Sequence, residues 1–100
     1  MTAMCEVRSS SASVATSAPG RYAKQLAAHL GRHAQVLEAT GNIEIKFDEG
    51  ACLLTPGDEV LDLRASAPDE DGLTIVKDVV GRHLERFGQR SELHVDWHDE

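Results

Sequence analysis

One hundred residues with 41% hydrophobic and 27% charged side chains have the balance of an ordinary globular domain able to bury a core of its own. Ten Lys and Arg against seventeen Asp and Glu leave a formal net charge of −7. The cations are scattered rather than clustered, so nucleic-acid backbones and anionic membranes are excluded as expected partners. Two cysteines, Cys5 and Cys52, are too few for a disulfide framework and read first as a reduced intracellular pair. No apolar run approaches the ~18 residues of a membrane span, and the leader MTAMCEVRSSSASVATS lacks the apolar segment of a secretory signal. A cytoplasmic location is the expectation.

In chain order, residues 1–10 are small and polar and are expected to be a disordered leader, with one α+β domain over 11–100. The weak alternation of SASVAT predicts a first strand over 11–16. Thr16 or Ser17 can cap a helix that carries Pro19 in its first turn, where the missing N–H has no partner to lose. Tyr22, Ala23, Leu26, Ala27 and Leu30 form its apolar arc, Gly31 weakens it, and its end is expected near His33 or Ala34. The segment AQVLEAT allows either more helix or, after a turn at Gly31, an extended lead-in.

Three strands follow. Residues 42–47 alternate, with Ile43, Ile45 and Phe47 on one face. Asp48, Glu49 and Gly50 mark a hairpin turn into a short apolar partner strand over 51–55. Pro56, Gly57 and Asp58 mark a second turn. Residues 59–65 then place Leu61, Leu63 and Ala65 inward. The acidic segment 69–71 opens a second helix at its positive dipole end, with Leu73, Val76, Val79, Val80, His83, Leu84 and Phe87 in one arc and Gly88 as C-cap. The run LHVDW predicts a last strand with Leu93, Val95 and Trp97 on its core face and His94, Asp96 and His98 opposite. The order β-α-β-β-β-α-β predicts a two-layer α+β sandwich, two helices on one face of a mainly antiparallel sheet.

Three histidine constellations could carry chemistry. His29 and His33 stand four apart, so on a helix their Cβ atoms would lie about 5–6 Å from each other, within reach of one metal ion. Leu30 follows the first histidine where a zinc hydrolase would have Glu. The competing reading is the polar rim of a core-facing helix. His83 lies inside the arc of the second helix, either as a hydrogen-bonded structural residue or as a partner for His29 across the two helices. His94, Asp96 and His98, with Arg64 on a neighbouring strand, are the alternative surface, a solvated strand face or a place for an adventitious metal. Cys52 alternates with Leu54 and reads as a small buried hydrophobe. Arg86 and Arg90 suit the second helix's C-terminal end, and Trp97 suits a core anchor for the last strand. No nucleophile elbow, P-loop, dinucleotide fingerprint or CxxC occurs.

The stretches RYAKQLAAHLGRH, FDEGACLLTPGDEVLDLRASA and VVGRHLERFGQRSELHVDW resemble the DUF2218 family of small bacterial domains. Tyr22, His29, Gly50, Cys52, His83, Arg86, Phe87 and Trp97 fall on positions of that pattern. This chain departs from it at Ala28, where the family often has a cysteine before the first histidine, so the resemblance supplies no Cys–His metal pair. Some relatives look to be fused to, or encoded beside, ferric-siderophore reductase-like proteins, and the resemblance thereby implies an iron or siderophore context.

These readings converge on a non-catalytic binding or accessory domain. Its expected partner is another protein or a second copy met through an exposed strand edge, and its docking face would carry Glu44, Lys46, Asp62, Arg64, His94 and Asp96. The alternative is a protein that binds a transition metal or haem through His29, His33 and His83.

Overall fold

Alternating large apolar and polar residues build one sheet, and two amphipathic helices cover one of its faces. The computed structural model describes residues 8–88 and 93–99. In it β1 (Arg8–Ala15), α1 (Pro19–Leu30), β2 (Gln35–Ala39), β3 (Asn42–Lys46), β4 (Ala51–Pro56), β5 (Val60–Ala67), α2 (Glu70–Phe87) and β6 (His98–Asp99) follow one another. The six strands lie in the order β2-β3-β4-β5-β1-β6, every pair antiparallel. The helices pack over the middle of the sheet, α1 on β3, β4 and β5 and α2 on β5, β1 and β4. Between the layers Val14, Leu26, Ile45, Leu54, Leu61, Leu63, Val76, Val80 and Leu84 are fully buried. The expected α+β sandwich is the observed one, with one strand more than the sequence alone suggests.

The differences have local causes. β1 begins at Arg8 because its register with β5 continues to Ala67, three residues before the expected start. The rest of the expected leader lies outside the described residues. α1 stops at Leu30, where the Gly31 N–H closes the last turn on the Ala27 carbonyl and the His33 N–H bonds Leu30. Its N-terminus has no side-chain cap; Thr16 Oγ1 instead accepts from the Ala18 N–H at 3.1 Å, one step ahead of Pro19. The ambiguous segment after Gly31 becomes β2, whose Val36 packs against the core while its other residues are exposed. A two-residue turn with Gly41 at φ 89° then returns the chain as β3.

The expected last strand is a correction. Residues 93–97 form no strand, and only His98 and Asp99 pair, with Ser11 and Ser10 of β1. The reason is that Leu93 and Val95 bury themselves against α2 rather than over the sheet. The Leu93 N–H bonds the Gly88 carbonyl at 3.1 Å, and the Val95 N–H bonds Glu85 Oε2 at 2.9 Å. Trp97 is half-buried beside Gly81. Lys77 then ties the end of the chain to α2 by a 2.8 Å ion pair with Asp99, which holds that exposed carboxyl below its ordinary range.

α2 starts as its sequence predicts, Asp69 accepting from the Gly72 N–H at 2.7 Å with Glu70 and Asp71 in the first turn. Gly72 also has a packing role. A Cβ there would lie 2.6 Å from the Glu49 carbonyl oxygen, and one at Gly50 would drive into the Ser66 carbonyl. These two absences let the β3–β4 turn lie directly against α2 and β5. We predict that Gly72→Ala lowers stability by about 1–3 kcal/mol in urea unfolding, since overpacking outweighs the gain in helix propensity. Gly20→Ala on α1, with nothing within 4 Å of the added carbon, leaves stability unchanged or raises it.

Candidate functional site

The end of α1 and the C-terminal part of α2 bring two histidines together. His29, exposed on the last turn of α1, meets half-buried His83 with ring centroids 4.9 Å apart and planes tilted by 44°. Phe87, one turn further along α2, packs T-shaped with the His29 ring, their centroids 5.3 Å apart. His83 Nδ1 lies 2.7 Å from the Val79 carbonyl oxygen. A carbonyl only accepts, so Nδ1 carries the proton, and in the neutral ring Nε2 is left as the lone-pair nitrogen.

Beside this pair is a cleft of about 350 Å³ lined by His29, Leu30, His33, Phe47, Asp48, Glu49, Val79 and His83. Its lining thus combines three histidines, two acidic residues of the β3–β4 turn and the apolar Leu30, Phe47 and Val79. The open carbonyl end of α1 adds negative potential, because Leu30 is its last helical residue. Asp48 and Glu49 are exposed residues of the β3–β4 turn, and they line the cleft as well. They reach the cleft because Gly50 and Gly72 let the turn sit close to α2.

The structure separates the parts of the histidine reading. His29 and His83 meet. His33 lines the same cleft, but the helix ends at Leu30 and His33 lies in the turn beyond it, so the helical four-residue geometry that would pair it with His29 is lost. Among the described residues no group of three or more His, Cys, Asp or Glu is placed to hold a metal ion.

The alternative surface also divides. His94 faces α2, its Nδ1 3.7 Å from Glu85 Oε2, because residues 93–97 follow the helix instead of forming a strand. Asp96 reaches His98 at 4.0 Å. His98 pairs with Ser11, and Ser11 with Arg64, so His98 and Arg64 share one cross-strand row on the open sheet face. That row continues through Leu53, Glu44 and Leu37. Glu44, Lys46, Asp62 and Arg64 therefore lie on the open face as expected, with Ser13 Oγ donating to Asp62 at 2.7 Å, whereas His94 and Asp96 sit on the strap beside α2. Arg86 is exposed on the last turn of α2, and Arg90 lies outside the described residues.

With the fold and cleft in place, comparison with known proteins decides the family. The profile of DUF2218, described as an uncharacterized protein conserved in bacteria, matches residues 11–98. This chain belongs to the DUF2218 family. A solved relative, the NMR structure of PA4090 from Pseudomonas aeruginosa, is 29% identical, with 93% of this chain and 96% of that one covered and a TM-score of 0.75. A search of curated proteins finds no match. No described helix of this DUF2218 domain is long and apolar enough to cross a membrane.

Cys52 of this DUF2218 chain stands on β4 in the middle of the core, fully buried. Burial pushes its thiol from 9.0 up to about 12, against a smaller opposing pull from a backbone bond with Arg64. At neutral pH the thiol is protonated and shielded, so we expect Cys52 to resist alkylation in the native state and to react once the chain is unfolded in denaturant. The folded value is the higher one, so below pH 9.0 the two states bind the same proton and stability is unaffected. Between 9.0 and about 12 the unfolded thiol ionises first, and this group's effect is a progressive loss of stability as pH rises. A Cys52→Ala variant removes that slope from urea unfolding followed across the alkaline range.

Proposed function

We propose that this DUF2218 domain is a small non-catalytic binding module whose ligand seat is the histidine–carboxylate cleft. The observation that carries this reading is the meeting of His29 and His83 from two different helices at 4.9 Å, beside Asp48 and Glu49. Side chains of complementary chemistry gathered over an apolar floor suit a small ligand held by a few placed polar groups. The carboxylates and the open end of α1 favour positive charge, while the imidazoles offer nitrogen lone pairs, so the seat suits a cationic or metal-bearing ligand.

A second reading draws on the same pair: a transition metal or haem iron held by His29 and His83, with its other coordination positions filled by water or by the ligand's own donors. It requires only two protein ligands. The iron or siderophore context implied by the family resemblance enters as the choice of probes.

The test is a ¹H–¹⁵N NMR titration of untagged full-length protein with Zn²⁺, a ferric hydroxamate, a ferric catecholate and haemin, together with elemental analysis of the purified protein. We expect at least one probe to shift amides of the α1 end, the β3–β4 turn and the C-terminal part of α2. We also expect His29→Ala and His83→Ala to weaken that probe by about tenfold or more, ~1.4 kcal/mol. A metal present in the purified protein and lost in both variants favours the second reading. Amides of the cleft that ignore every probe would sink both.

A further inference from the structure

β2 is an edge strand: among the described residues it pairs with β3 alone. Thr40 and Gly41 form a two-residue turn between paired Ala39 and Asn42, which makes that pair hydrogen-bonded. Alternation along an antiparallel ladder then aims the backbone groups of Ala39, Leu37 and Gln35 at β3 and those of Val36 and Glu38 at the outer edge. Leu37 stands at the centre of this edge on the open sheet face. At 40% exposure it is one of two exposed large hydrophobic residues among the described ones, the other being Ile75 on α2.

On the helix side of the same edge runs a groove of about 420 Å³ whose lining includes Val36, Glu38, Lys24 and Arg32. Neither Lys24 nor Arg32 has an ion-pair partner among the described residues.

We propose that a second copy of this chain docks on this edge, strand to strand and antiparallel, about a two-fold axis at Leu37. The register follows from the edge itself. With Leu37 opposite Leu37, Val36 and Glu38 face each other twice, and both outward-facing residues exchange their backbone hydrogen bonds with the copy. Shifting the axis to Glu38 sets two like charges directly opposite, and shifting it to Val36 moves Glu38 against Ala34, outside the strand.

In the Leu37 register the Glu38 carboxylate of each copy enters the groove of the other, beside Lys24 and Arg32. The charge that would protect a solitary edge is thereby matched. The two Leu37 side chains meet in a non-hydrogen-bonded pair, where Cα atoms approach to about 4.5 Å. This proposal is independent of the ligand cleft, which lies at the other side of α1's end against α2.

The experiment is sedimentation equilibrium of the full chain, expected to give twice the 10.9 kDa chain mass. Leu37→Lys places two ammonium groups opposite each other and should weaken association by about a hundredfold or more while its NMR spectrum stays folded. In a Cys5→Ser background, Leu37→Cys should cross-link rapidly on mild oxidation, because its Cα spacing suits a disulfide, and Gln35→Cys should not. A native chain that remains monomeric at millimolar concentration overturns the proposal and leaves the edge to a strand from another protein. A dimer that Leu37→Lys does not weaken, or that Leu37→Cys cross-links no faster than Gln35→Cys, overturns it equally by placing the interface elsewhere.

Discussion

The fold depends on one close approach, the β3–β4 turn against the first turn of α2. Two residues without side chains make it possible, Gly72 under the Glu49 carbonyl and Gly50 under the Ser66 carbonyl. Asp69 secures the same place from the helix side by capping the Gly72 N–H. A side chain at either glycine would push the turn outward and carry the exposed Asp48 and Glu49 away from the other residues of the cleft. The tight contact therefore closes the two layers and also assembles the cleft.

The charges of the cleft have a consistent direction. A chain of net charge −7 already draws cations, and here two carboxylates and the carbonyl end of α1 concentrate that tendency beside three imidazoles. His83 is oriented by the Val79 carbonyl, which fixes the nitrogen that carries its proton, and the Phe87 ring packs T-shaped with that of His29. A pair fixed in this way is suited to recognition. The buried thiol of Cys52, by contrast, is withheld from chemistry by its place in the core.

Much of the scaffold was legible in the chain. The alternation through Ile43, Ile45, Leu61, Leu63 and Ala65 marks strands that bury one face, and all five are buried. Asp69 and Gly88 mark the ends of α2, and both serve there. The errors fall where a local pattern admits two partners. Leu93, Val95 and Trp97 alternate as a strand does, yet their apolar face finds α2 before it finds the sheet, and only His98 and Asp99 reach β1. Val36 and Leu37 fit helix or strand, and the two-residue turn at Gly41 settles the matter by delivering the chain antiparallel to β3. Four-residue spacing stacks His29 and His33 on one face only of a helix that continues past His33, and α1 ends at Leu30.

By itself the sequence determined the α+β class, the helix-covered face of the sheet and the burial of Cys52, because periodicity, caps and turn residues act over a few neighbouring positions; the resemblance to DUF2218 came separately, from whole stretches such as VVGRHLERFGQRSELHVDW. The tertiary structure alone decided that His29 meets His83 rather than His33. It also decided that Asp48 and Glu49 join them, that His94 turns to Glu85 and that Leu37 lies at the centre of an edge strand. Those outcomes depend on how closely separate elements approach, which is set by packing volume at places such as Gly50 and Gly72 and has no counterpart in local spacing.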